Sequence, residues 1–104
     1  MRWASLMLVL AACGTDRDPG CPPTVTYQTV GAPFVESWCR GCHSIDATTR
    51  QRAPADVNFD TLDEIRGRLF DVDGTISERT IPPAGGPSDA ERTLMTTWLR
   101  CGAP

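Results

Sequence analysis

Residues 39–43 read Cys-Arg-Gly-Cys-His, a single C-x-x-C-H in a chain of 104 residues that has no other histidine. Two thiols three positions apart, followed at once by an imidazole, form the spacing that attaches a haem covalently. The thiols of Cys39 and Cys42 would add across the two vinyl groups as thioethers, and His43 would reach the iron from the same side as the proximal ligand. A bare C-x-x-C is compatible with several chemistries; the adjoining histidine narrows them. The expected cofactor is one covalent haem c, around which a short chain must wrap.

The N-terminus bears on the compartment. Met1-Arg2 precedes an apolar stretch over residues 3–12 that ends at Cys13. One basic residue, a short apolar core and small residues before a cleavage point describe an export signal. The stretch is too short to span a bilayer's hydrocarbon core. Leu10-Ala11-Ala12-Cys13 resembles the bacterial lipobox, in which the cysteine becomes the lipidated first residue of the mature chain. That implies a signal peptide over 1–12 and acyl chains on Cys13 that hold the protein to a membrane. Ordinary cleavage and an uncleaved signal anchor are the alternatives. Residues 13–24, rich in Gly, Pro, Asp and Thr, read as a flexible tether. The expected location is a bacterial envelope, lipid-anchored, on its periplasmic or extracellular face, with inner or outer membrane left open.

Cysteine usage agrees with that compartment. With Cys13 taken by lipid and Cys39 and Cys42 by haem, Cys21 and Cys101 remain. Two spare thiols in an oxidising envelope suggest a disulfide; two free buried cysteines are the alternative. All ten basic residues are arginine, and the chain after Cys13 carries a net charge of −4. An acidic surface argues against nucleic acid and favours redox partner proteins with a basic docking patch.

Residues 25–104 suffice for one small domain. Pro33 suits the first turn of a helix carrying Phe34, Val35, Trp38 and Cys42 on roughly one face. Residues 48–60 are polar, contain Pro54, and read as loop. Leu62, Ile65 and Leu69 predict a helix over 61–70, with Asp60 or Thr61 as N-cap. The run 71–87, with Gly74, Pro82-Pro83, Gly85-Gly86 and Pro87, reads as loop. Ser88-Asp89-Ala90-Glu91 opens a capping box, and its helix lines up Leu94, Trp98 and Cys101, with Met95 and Leu99 beside them, before Gly102 stops it. No segment alternates as a strand would. The expected fold is all-α, three or four short helices with long loops.

This order of helix, C-x-x-C-H, loop with a short helix, Pro-Pro loop and final Trp-Leu-x-x-Gly helix resembles class I cytochrome c. More narrowly, it resembles small cytochrome-c-like domains of bacterial lipoproteins. The resemblance covers about residues 30–104 and implies one-electron transfer by a non-enzymatic carrier. It implies that the first and last helices cross, with Trp98 and Leu94 packed on the helix bearing Phe34 and Trp38, a crossing that a Cys21–Cys101 bridge would reinforce. It also implies that the other ring nitrogen of His43 donates to a carbonyl of the following loop, with Pro54 the candidate by its distance from His43.

The chain departs from the family at the distal ligand. Where Met-Pro-Pro is common, it has Ile81-Pro82-Pro83, and isoleucine has no lone pair for iron. Met95 is the only methionine after the leader, and a methionine in an apolar helical arc is more often core than ligand. An open or water-bound site, Met95, Tyr27 and a backbone group all stand as possibilities for the sixth position. An open site would admit diatomic gases or peroxide and make a sensor or weak peroxidase of the same domain. Arg50, Arg52, Arg66 and Arg68 are candidates for pairing with haem propionates, against simple solvation.

Three rivals compete. Trp38-Cys39-Arg40-Gly41-Cys42 also resembles the W-C-x-x-C of thioredoxin-like thiol–disulfide oxidoreductases, where a lowered thiol pKa drives exchange, but the strands that fold requires are missing. A zinc site on Cys39, Cys42 and His43 would need Cys21 or Cys101 as its fourth ligand. A structural lipoprotein without cofactor is the third.

Overall fold

The computed structural model describes residues 20–80 and 86–104. The expected signal peptide over 1–12, the candidate lipidation site Cys13 and Ile81 of the Pro-Pro run all lie outside the described residues. Within them the structure is helical, with no strand: a wide helical turn Tyr27–Gly31 runs into α1 (Ala32–Trp38), followed by α2 (Leu62–Arg66), α3 (Leu69–Glu78) and α4 (Asp89–Arg100). The all-α expectation holds at that level.

Local chemistry explains most starts and stops. Thr26, Thr61 and Ser88 each cap a helix reciprocally, the side-chain oxygen taking the N–H three residues on while that residue's side chain takes the cap N–H. Each box satisfies two amides that a helix start otherwise leaves orphaned. Pro33 sits in the first turn of α1, as expected. Gly102, at φ +87°, ends α4 in the left-handed region that glycine enters without penalty.

The middle of the chain differs from expectation in two places. The helix predicted over 61–70 breaks at Gly67 and Arg68, whose backbone (φ −134°, ψ 29°) leaves the helical range before α3 begins. The predicted loop over 71–87 is instead helical as far as Glu78. Leu69, Val72 and Ile76 recur at helical spacing, and burial of Val72 and Ile76 outweighs the roughly 1 kcal/mol that Gly74 costs in a helix interior. Arg79, in the left-handed conformation at φ 59°, provides the stop.

The two ends of the domain are tied together. A Cys21–Cys101 disulfide spans 80 residues. The amide of Tyr27 donates to the carbonyl of Pro104 at 2.8 Å, and the indole Nε1–H of Trp98 donates to the same carbonyl at 3.0 Å. The Arg66 guanidinium donates to the neighbouring Ala103 carbonyl.

The last helix packs on the wide turn Tyr27–Gly31 that leads into α1, about a turn before the Phe34 and Trp38 face where the resemblance put the contact. Trp98 is fully buried and lies over Gly31, where an added Cβ would meet three ring atoms at 2.6–2.9 Å; Tyr27 stacks beside it at 6.1 Å. Leu94, expected on the contact line, is half exposed. The inward face of α4 is Arg92, Met95, Trp98 and Leu99. Arg92 is tolerated there because its guanidinium donates to the carbonyls of Ile76 and Pro87, meeting the rule that buried charge must be hydrogen-bonded.

Candidate functional site

The C-x-x-C-H motif continues the last turn of α1. The amides of Cys39 and Arg40 both donate to Val35, and those of Cys42 and His43 both donate to Cys39. This puts Cys39 and His43, four residues apart, on one side of the turn. Both line a cavity of about 240 Å³. Its apolar wall is built by Phe34 from α1, Val57 and Phe59 from the loop, and Val72 and Ile76 from α3. Cys42 is half-buried, and it and Cys39 are free thiols. The candidate anchor, the candidate ligand and an apolar chamber therefore coincide.

The orientation of His43 follows from its partners. Its Nδ1 lies 3.0 Å from the carbonyl oxygen of Val57. A carbonyl only accepts, so Nδ1 is the donor, and in the neutral imidazole Nε2 then keeps the lone pair a metal would need. The acceptor is Val57 rather than the expected Pro54, because the Pro54 carbonyl is turned to the Arg50 guanidinium at 2.6 Å. Phe59 holds the residue from a second side, its amide donating to the His43 carbonyl at 2.8 Å and its ring 5.3 Å from the imidazole.

Asp60 braces the motif. Thr61 takes the N-cap role for α2, which leaves the Asp60 carboxylate to accept from Ser44 Oγ at 2.6 Å, the Ile45 amide at 2.9 Å and Arg40 Nε at 3.0 Å. The Ser44 and Ile45 hydrogen bonds, with help from Arg40, hold its carboxyl below its ordinary value of 3.8. A lowered carboxyl pKa contributes stability that is fully present above the unfolded value and is lost as pH falls through the folded one. Asp60→Asn should therefore flatten the fall in urea midpoint between pH 5 and pH 2.5. An equally steep fall in wild type and variant would show that Asp60 does not carry it.

The candidate arginines divide sharply. Arg68 lines the cavity and pairs loosely with Asp56 and Asp71, at 3.8 and 4.0 Å. Arg66 is engaged at Ala103, Arg52 is exposed, and Arg50 is enclosed by its own loop. Met95 is fully buried in the core and is not among the described residues lining the cavity; Tyr27 lies against Trp98 instead.

The rivals fare differently from the motif. Burial pushes the Cys39 thiol up to about 12, whereas thiol exchange needs a lowered value. The Cys21–Cys101 bond consumes both fourth-ligand candidates for zinc, and the described residues hold no cluster of three or more His, Cys, Asp or Glu suited to a metal ion.

Sequence reasoning missed Val57, Phe59 and the bracing role of Asp60. The polar loop reading of 48–60 concealed them, since nothing in a loop's composition says which carbonyl faces an imidazole. No described helix is long and apolar enough to cross a membrane. Compared with protein-family models, curated proteins and solved structures, the chain finds no match.

Proposed function

We propose that the chain is a lipid-anchored mono-haem c-type cytochrome domain acting in one-electron transfer in a bacterial envelope. One observation carries this: His43 and Cys39 of the C-x-x-C-H line the same apolar cavity, with the imidazole's Nδ1 proton committed to Val57. The donor set fits the group. Cys39 and Cys42 would hold it through thioethers, and His43 would ligate through Nε2. A bound haem supplies an iron that gains and loses one electron.

The chain's own contribution is to hold its ligand still and keep water away. Val57 and Phe59 fix the imidazole, Asp60 holds the Ile45 amide after it and the Arg40 and Ser44 side chains on either side of it, and Phe34, Val72 and Ile76 present hydrocarbon to the chamber. Arg68 is the one propionate candidate placed at the cavity. The net charge of −4 after Cys13 favours a redox partner with a basic patch.

The position of Met95 gives weight to a second use of the same site. Buried in the core and absent from the described lining of the cavity, Met95 is placed as packing and not as a ligand, which supports a sensing or weak peroxidase role.

The test is an optical spectrum of the full chain, expressed with haem-attachment machinery and extracted in detergent. Covalent haem with a methionine–iron charge-transfer band supports a carrier. A high-spin spectrum that shifts with CO supports the open site. Absence of covalent haem would refute the proposal. In His43→Ala the haem should stay attached through its cysteines while the ferrous visible bands collapse; an unchanged spectrum would remove His43 as ligand.

A further inference from the structure

Arg50 meets the chain at five places. Its Nη1 donates to the Ser44 carbonyl at 2.7 Å and Asn58 Oδ1 at 2.8 Å; Nη2 donates to the carbonyls of Pro54 at 2.6 Å and Val57 at 2.9 Å; Nε reaches that of Ala53 at 3.5 Å. A guanidinium has five N–H groups and no acceptor, so every donor is spent. All five acceptors are neutral, and no carboxylate among the described residues forms an ion pair with it. A permanently charged group is thus held, among the described residues, by neutral acceptors alone.

The Val57 carbonyl also accepts from His43 Nδ1 at 3.0 Å. One oxygen, with its two lone pairs, serves both the imidazole and the cation. We infer that Arg50 is a positioning residue that sets the donor strength of His43 and raises the reduction potential of the group it ligates. This rests on the proposed haem site. Two effects act in the same direction. By drawing on Val57, Arg50 leaves a poorer acceptor for the Nδ1–H, so the imidazole donates less charge to a metal at Nε2. A fixed positive charge one carbonyl away also disfavours the more positive, oxidised state of the one-electron couple.

The experiment is potentiometric titration of the full-length haem-loaded chain with dithionite and mediator dyes, with covalent haem counted in each sample. Arg50→Met should shift the ratio of oxidised to reduced form at fixed potential about tenfold toward oxidised, a fall of about 59 mV for one electron. Arg50→Lys keeps the charge but cannot reproduce the fork, so its potential should lie between while its melting temperature falls as far as that of Arg50→Met. Arg52→Gln removes the same formal charge from an exposed neighbour and should move the potential by less than a third as much.

If Arg50→Met does not accumulate, Arg50→Lys decides by the same comparison: a fall larger than that of Arg52→Gln supports the inference. A haem-loaded Arg50 variant with the wild-type potential would overturn it and leave the haem proposal standing. So would a shift in Arg52→Gln equal to that in the Arg50 variants. Wild-type chain without haem would overturn both.

Discussion

Trp98→Ala is expected to lower the unfolding free energy by about 4 kcal/mol, within the range for deleting a buried large aromatic side chain. Trp98 has no exposed surface, so its indole ring would be replaced by a void. The loss is compounded because its contact with Gly31 involves backbone on one side: an added Cβ would lie 2.6 Å from the ring, so the ring lies this close only because residue 31 has no side chain. The hydrogen bond to Pro104 would be lost as well. For a domain of this size the change corresponds to a drop in Tm of about 20 °C or more. Urea denaturation followed by circular dichroism would measure it. A cost under about 1 kcal/mol would mean the crossing does not hold the domain together. Trp98→Phe retains most of the bulk and should cost about half as much.

Opening the disulfide should have an effect of the same order. A bond closing 80 residues contributes about 4.5 kcal/mol in the chain-entropy description, which treats it as a restriction on the unfolded chain. Cys21→Ser, Cys101→Ser and the double variant should all lose the same amount, because each removes the same bond. Both cysteines are only partly buried, so a serine hydroxyl at either position can reach water. Melts of wild type under reducing conditions should match those of the variants. Additive losses from the two single substitutions would show that the thiols contribute separately and that no bond links them in solution.

Those two features were legible to different degrees before the structure. The pairing of Cys21 with Cys101 followed from counting thiols against a compartment, and the Ser88 box and the Pro33 start of α1 followed from side chains that act on their own backbone. Such signals survive folding because they are satisfied locally. Gly31 was invisible: a glycine between a valine and an alanine shows its purpose only when Trp98 is seen above it. Leu94 and Met95 are neighbours on an amphipathic helix, and small differences in how α4 rolls against α3 decide which is inward. Gly74 and the prolines and glycines after it argued for a loop, yet Leu69, Val72 and Ile76 had a surface to bury against, and burial outweighed propensity. At the site itself, the motif was read from five consecutive residues. The acceptor for His43 was misplaced because a side chain seven residues away in sequence, Arg50, turns the Pro54 carbonyl aside and shares the Val57 carbonyl with the imidazole.

The clasp between the two ends of the domain also has a consequence in time. A chain emerging N-terminus first, from a ribosome or through a membrane pore, presents Cys39, Cys42 and His43 long before Cys101 and Pro104 appear. Until they do, Cys21 has no partner, the Tyr27 amide has no acceptor, and nothing covers Gly31. Contacts this distant along the sequence form late. The motif is therefore delivered as an unstructured, accessible segment, and its thiols are open to attack during that interval. Burial comes afterwards, when the loop bearing Val57 and Phe59 and then α3 arrive to wall the cavity.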